Sequence, residues 1–375
     1  MGKNIILCFD GTSNHPRDAK QEREWFGLGD IEDNGITNIL KLHVLFGGNL
    51  ANTAGAPEQH SLYYSGVGTY GNGFQRLFNA AFSPEKLDVG WIIKSAGKDL
   101  KRLYDKSNGD RIFIFGFSRG AAIARRFSSV IHNYIDVAEG EQPVSFLCAF
   151  DTVASIGAPN LSSDDKPISD VVFEDCWISK HIQQALHIVA VDENRVAFQP
   201  TLMNQEGRVK EIWFPGAHSD IGGGFWFDGL SDITLDFVLK QFEERNLGLF
   251  TKKLDQIEYS ELVAEDGSYQ IDIDDLMIKP LIKGRLHKKD RWWPIARATL
   301  EHRDIRTQNK IPNAGDIREG GVSVPFVHKS LKDRFDEVTD YRPRAMKGIR
   351  HRLVDDDGEP SGPDYTGLSG YGDAD

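Results

Sequence analysis

Cysteine is scarce in this chain. The three among 375 residues, Cys8, Cys148 and Cys176, are an odd set without metal-ligand spacing, and two of them lie in apolar strand-like runs. That excludes a cysteine-stapled scaffold and points to buried, reduced thiols in a protein that folds in a cytosol. Long hydrophobic runs are also missing. The opening run, NIILCF at 4–9, is too short for a signal-peptide core, and no other segment approaches the roughly 20 apolar residues of a membrane span. The expectation is a protein made in the cytosol that meets a membrane only peripherally and is exported, if at all, by a route that reads no leader. MGKNII lacks the hydroxyl residue of a myristoylation signal, so lipidation is not expected. Positive charge is outnumbered, with 44 Lys and Arg against 56 Asp and Glu and a net charge of −12. Such a chain has no overall field to draw in nucleic acid.

What is present reads as an α/β protein. NIILCF (4–9), RIFIFGF (111–117), SFLCAF (145–150) and KEIWFPG (210–216) are short runs rich in Ile, Val and Phe, the pattern of strands buried on both faces. Helical spacing marks 88–107, 121–135, 178–198 and the stretch after 225. Alternation of this kind predicts an α/β-hydrolase-like, mostly parallel sheet with helices on both faces. A catalytic domain is expected over 1–250, an appended C-terminal lobe or cap over 251–354, and a disordered acidic tail over 355–375. In parallel sheets the chemistry sits beyond the carboxyl ends of the strands.

GFSRG at 116–120 follows one strand run and opens a helical one, which is the context of a nucleophile elbow with Ser118 as nucleophile. A serine needs a base and an orienting carboxylate, in the order Ser, Asp, His. Asp151 ends the next strand run and His218 follows the one after it. Asp220 is the rival carboxylate, read mainly as shaping the glycine loop at 222–224. His328 is the rival base, read mainly as a surface or interface histidine of the appended region. An ordinary turn serine, an N-cap aspartate and a structural loop histidine are the plain alternatives.

CFDGT resembles half of a D-x-D-G-T phosphatase motif, but position 8 is Cys8 and the nucleophilic carboxylate is missing. The turn is better read as an oxyanion hole, with N–H groups from Gly11 or Thr12 joining that of Arg119. Asp10 then organises the turn, with a metal-ligand role as the lesser alternative. The glycines at 66–73 lack a following Lys-Ser or Lys-Thr pair, so they form no phosphate loop. RWWP at 291–294 suits either a lipid interface or packing under the lobe.

In order along the chain, CFDGTSN, GITNILKL, YYSGVGT, GFSRGAAIAR, CAFDTVASIG, ALHIVAVDENR and WFPGAHSDIGGGF resemble a bacterial α/β-hydrolase family. That family, once a domain of unknown function, includes the phospholipase effectors of type VI secretion. The resemblance spans about 3 to about 250. It implies a serine esterase of phospholipase A type, with Ser118 as nucleophile and Asp151 and His218 as consistent partners. It also implies a secretion-system component or an immunity protein as partner. The long membrane-engaging modules of such effectors are not matched here. No metal or cofactor enters the implied steps. Hydrolysis of a soluble ester or thioester, and a non-catalytic binding scaffold, are the alternative functions.

Overall fold

The computed structural model describes residues 2–11, 34–66, 85–153, 177–263, 269–288, 300–308, 324–368 and 370–371. Nine strands form one sheet: β1 Asn4–Phe9, β2 Gln59–Tyr64, β3 Arg111–Phe117, β4 Val144–Phe150, β5 Ile182–Ala190, β6 Val209–Phe214, β7 Phe326–His328, β8 Arg350–Val354 and β9 Pro360–Thr366. Their order is β2-β1-β3-β4-β5-β6-β7-β8-β9. Every pair is parallel except β8 with β9. The main helices are α1 Asn38–Leu45, α2 Glu85–Leu103, α3 Arg119–Val130, α4 His218–Gly222, α5 Gly229–Glu244 and α6 Lys329–Glu337.

Side-chain alternation along the strands explains the layering. Ile6, Cys8, Phe113, Phe115, Phe146 and Cys148 pack with Ile39 and Leu42 of α1 and with Leu235, Phe237 and Val238 of α5. Their neighbours Ile5, Leu7, Phe9, Ile112 and Ile114 face the other way, against Val89, Ile92 and Leu100 of α2 and Ile123 and Phe127 of α3. Both faces are therefore apolar, as the continuous runs in the sequence required. Burial drives the thiols of Cys8 and Cys148 far above their ordinary pKa, so both are inert. Cys176 lies outside the described residues.

After β1 the chain moves to β2 on one side, then returns to β3 on the other side of β1. The two connections leave a crevice between the ends of β1 and β3, the place where a parallel sheet binds ligands. Asp10 and Ser118 follow those two strands.

Two expectations are corrected here. Residues 182–190 form β5 and not part of a helix, because Ala185–Ala190 is buried on every side and an apolar run of that length carries no periodicity to separate the two. The region read as an appended lobe and disordered tail supplies β7, β8 and β9 to the same sheet. Within the described part of the acidic end, charge pairing ties β9 to β8. Asp364 of β9 meets Arg350 and Arg352 of β8 at 3.2 and 2.7 Å, and Tyr371 is buried against His351 with 2.5 Å between its hydroxyl and Nε2.

The C-terminal residues Val327, Leu331, Phe335, Tyr341 and Met346 cover Val189 and Trp213 of the central strands and Val191 just after β5. A chain ended after residue 250 exposes that apolar surface. We expect it to lose a cooperative urea transition and to bind a hydrophobic dye in the absence of denaturant, which fluorescence titration would check.

Candidate active site

Only Ser118 separates the end of β3 from the start of α3, so it must turn the chain. Its backbone sits at φ 57°, ψ −123°, a conformation that costs about 1–3 kcal/mol. Hydrogen bonds hold it there. Its N–H donates to the Phe150 carbonyl at 2.9 Å, and its own carbonyl accepts from Val153 N–H at 3.3 Å. The flanking glycines are steric requirements. A Cβ on Gly116 would lie 2.6 Å from the Ala121 Cα, and one on Gly120 would lie 2.3 Å from the carbonyl oxygens of Phe9 and Asp10. Only glycine lets α3 seat on the ends of β1 and β3.

Asp151 directly follows β4, with φ at 42°. Its Oδ2 accepts from Nδ1 of His218 at 2.6 Å. A neutral imidazole donating through Nδ1 presents Nε2 as an acceptor. The ring of His218 is walled by two phenylalanines, Phe117 at 4.7 Å and Phe198 at 4.9 Å between centroids. Phe117 precedes Ser118, so the imidazole stands beside the serine turn. The main-chain N–H of His218 donates to Glu193 Oε2 at 3.2 Å. Glu193 is forked by Arg195 at 2.8 and 2.7 Å, and the Arg195 guanidinium lies 3.4 Å from the centre of the Phe198 ring.

Burial opposes the charge on Asp151, but the Arg303 guanidinium and the His218 hydrogen bond outweigh it and hold the carboxyl well below the usual carboxylate range. Arg303 donates to Oδ1 at 2.5 Å and to Oδ2 at 2.8 Å, and the Ala190 N–H adds a bond to Oδ1 at 3.0 Å. Burial lowers the pKa of His218 below its ordinary value, with Asp151 pulling the other way. Burial also opposes the charge of Glu193, yet Arg195 brings that carboxyl down to about 2.

The other sequence candidates fall elsewhere. Asp10 organises its turn: Oδ1 accepts from Gly11 N–H at 2.6 Å, and Oδ2 accepts from the hydroxyls of Thr37 at 2.6 Å and Tyr63 at 2.7 Å. Gly11 as oxyanion donor is therefore corrected, since its N–H is turned to Asp10. Thr12 lies outside the described residues, as do 67–73 of the glycine loop and RWWP. Arg119 opens α3, where first-turn N–H groups point out of the helix end.

Asp220 does not reach the imidazole of His218. It accepts from Ala217 N–H at 2.9 Å and pairs with His287 at 2.5 Å, not with the glycine backbone. His328 is the last residue of β7 and is buried, contrary to a surface role. It stacks on Phe214 with centroids 4.3 Å apart and meets Asp356 at 3.2 Å. Among the described residues, no group of three or more His, Cys, Asp or Glu is arranged to hold a metal ion. Nor is any helix there long and apolar enough to cross a membrane.

Arg303, Glu193, Arg195 and Phe198 are the contacts that the sequence reading missed. Glu193 and Arg195 lie in the familiar VDENR stretch. Arg303 sits in a polar segment with several arginines and carries no signal of its own. A cavity of about 360 Å³ is lined by Lys41, Phe225, Trp226, Asp228, Asp232 and Asp275 among others. None of Ser118, Asp151 and His218 lines it. There Lys41 is buried between Asp228 and Asp232 at 2.6 and 2.9 Å.

Comparison with known proteins gives this arrangement a family. The model of the Tle1-like catalytic domain of type VI secretion phospholipase effectors matches residues 3–142 and 135–241. The chain belongs to that family. An uncharacterized protein of Saccharomyces cerevisiae is 36% identical over 143 residues, 35% of this chain and 17% of its own length. A yeast relative means that family membership does not by itself fix a bacterial source. A solved structure of the Tle1 effector bound to the VgrG spike of the type 6 secretion system aligns over 60% of this chain and 51% of its own, at 24% identity and a TM-score of 0.37. An uncharacterized protein from Pseudomonas aeruginosa aligns over 75% of this chain and 49% of its own, at 18% identity and a TM-score of 0.43. The chain thus spans about half the length of either structure and a smaller share of the yeast protein.

The packing at the serine turn is testable. Gly120→Ala is expected to destabilise the protein by about 1–3 kcal/mol in urea unfolding. Gly90→Ala in α2, where a Cβ meets nothing within 4 Å, is expected to stabilise it by up to about 1 kcal/mol.

Proposed function

We propose that this Tle1-like domain is a serine esterase that cleaves carboxylic ester bonds of phospholipids, in the manner of a phospholipase A, through Ser118, His218 and Asp151. The observation that carries the reading is the strained Ser118 turn with the Asp151–His218 hydrogen bond of 2.6 Å at the same edge of the sheet. Family membership supports the substrate class.

In this mechanism Nε2 of His218 takes the proton of the Ser118 hydroxyl as Oγ attacks the ester carbonyl. Asp151, fixed on Nδ1, holds the tautomer and stabilises the imidazolium that forms. The main-chain N–H of Arg119, at the positive end of α3, faces the developing oxyanion. The imidazolium returns its proton to the leaving alcohol, and water, activated by the same base, releases the acid from Ser118. Phe117 and Phe198 keep water from the flanks of the ring, which strengthens each of these interactions. Peripheral contact with a lipid surface and export as a secretion-system cargo, with VgrG-type or immunity partners, belong to the same proposal.

Release of fatty acid from mixed phospholipid vesicles tests it. Ser118→Ala and His218→Ala are expected to lower turnover by roughly six orders of magnitude, and Asp151→Asn by roughly four. Undiminished release by Ser118→Ala would refute the mechanism. Absence of release by the wild type, with Ser118 still labelled by a fluorophosphonate, would move the substrate to a soluble ester or thioester. An unlabelled, inactive protein would favour a binding scaffold.

The pH dependence follows from the base. His218 must be neutral to accept the proton, and burial holds its pKa below the ordinary 6.5. Labelling of Ser118 is therefore expected to be constant from neutral pH to mild alkalinity and to fall on acidification with a midpoint below 6.5. A midpoint above 6.5 would contradict the environment described for the ring.

A further inference from the structure

Arg303 comes from the short segment 300–308, well beyond the part of the chain that the family model matches. Its guanidinium makes four bonds in a fully buried setting. Two go to the carboxylate oxygens of Asp151 at 2.5 and 2.8 Å, one to the Ala190 carbonyl at 2.9 Å and one to the Phe198 carbonyl at 2.6 Å. The segment itself is laced to the chain after β5, through Glu301 N–H to the Asn194 carbonyl at 2.7 Å and Gln205 N–H to the Gln308 carbonyl at 2.8 Å. Ile305 anchors it in the apolar cluster with Trp213 and Val327.

One side chain therefore holds both supports of the imidazole. It fixes the carboxylate that bonds Nδ1, and it fixes the backbone of Phe198, whose ring packs against the imidazole at 4.9 Å between centroids. We propose that Arg303 is the positioning residue of the triad, holding Asp151 and Phe198 in register with His218 and setting the proton affinity of the Asp151–His218 pair. The proposal rests on the triad reading above.

The sign of the electrostatic effect follows from the charges that face the pair. These are Arg303 from the 300–308 segment and Glu193 and Arg195 from the chain after β5. Glu193 and Arg195 form a closed fork and largely cancel each other. Arg303 is the cation in direct contact with Asp151, so removing it makes the pair bind a proton more readily. The acid limb of the reaction then moves to higher pH. A fork of this kind depends on the planar guanidinium, which an ammonium cannot reproduce.

The experiment is the rate of Ser118 labelling by a fluorophosphonate, measured from pH 4.5 to 8 on the full chain for the wild type, Arg303→Gln and Arg303→Lys. Circular dichroism checks the fold of each. Arg303→Gln is expected to react about 100-fold more slowly at neutral pH, with its acid limb raised by about one pH unit. Arg303→Lys is expected to keep the wild-type limb and to lose about 10-fold in rate, through geometry alone. An Arg303→Gln protein with an unmoved limb, whether at full rate or slowed equally at every pH, overturns the proposal, because a mere loop staple would behave that way. Should Arg303→Gln fail to fold, a wild-type rate in Arg303→Lys overturns it by itself. A wild type that is not labelled at Ser118 refutes the triad reading, and the role of Arg303 with it.

Discussion

The carboxylate of Asp151 is a charge with no access to water, and much of the architecture exists around that fact. Burying a lone carboxylate costs several kcal/mol unless partners replace its solvent. Here they are the guanidinium of Arg303, the Ala190 N–H and the Nδ1 proton of His218. Each comes from a different part of the chain. The arginine arrives from 300–308, the amide ends β5, and the histidine follows β6. A carboxylate satisfied on all sides has one orientation, and the imidazole inherits it.

The sheet makes this convergence cheap. Its strands from β1 to β8 run parallel, so the residues that follow β1, β3, β4, β5 and β6 emerge at one edge. The reversal between β1 and β3 opens the crevice there, and Gly116 and Gly120 let α3 close on it. Without those two glycines the N-terminus of α3 would stand away from the ends of β1 and β3. Thr37 links the same edge to α1, since its hydroxyl donates to Asp10 and accepts from Leu40 N–H at the helix start.

Legibility in the sequence followed the range of each signal. GFSRG is a local motif, because strand, strained turn and helix are neighbours in the chain, and the strand-turn-helix context it predicts is present. Asp151 and His218 each follow an apolar run, and parallel strands bring such ends to one edge, which is why a reading of the runs places the two side by side. β5 was misread because burial on both faces erases the alternation that marks a strand. β7 was too short to show a pattern, and β9, PSGPDYT, has two prolines and no apolar alternation, its single carboxylate Asp364 pairing with Arg350 and Arg352. Arg303 was invisible for a similar reason. Its role depends on a contact 152 residues away, and nothing in its own neighbourhood distinguishes it from Arg306.

These two kinds of residue divide the molecule in an instructive way. The family match ends at 241, and within it lie the serine turn, the aspartate and the histidine. The cation that stabilises the aspartate lies outside it, as do the strands that cover Trp213. The matched region is therefore not a self-sufficient unit in this chain. Cut from the rest, it would carry a carboxylate that has lost its cation, at a cost of about 3–5 kcal/mol against the roughly 5–15 kcal/mol that hold a typical domain together, and an uncovered sheet face besides. A relative that shares only the matched region must solve the Asp151 problem with some other cation or with water.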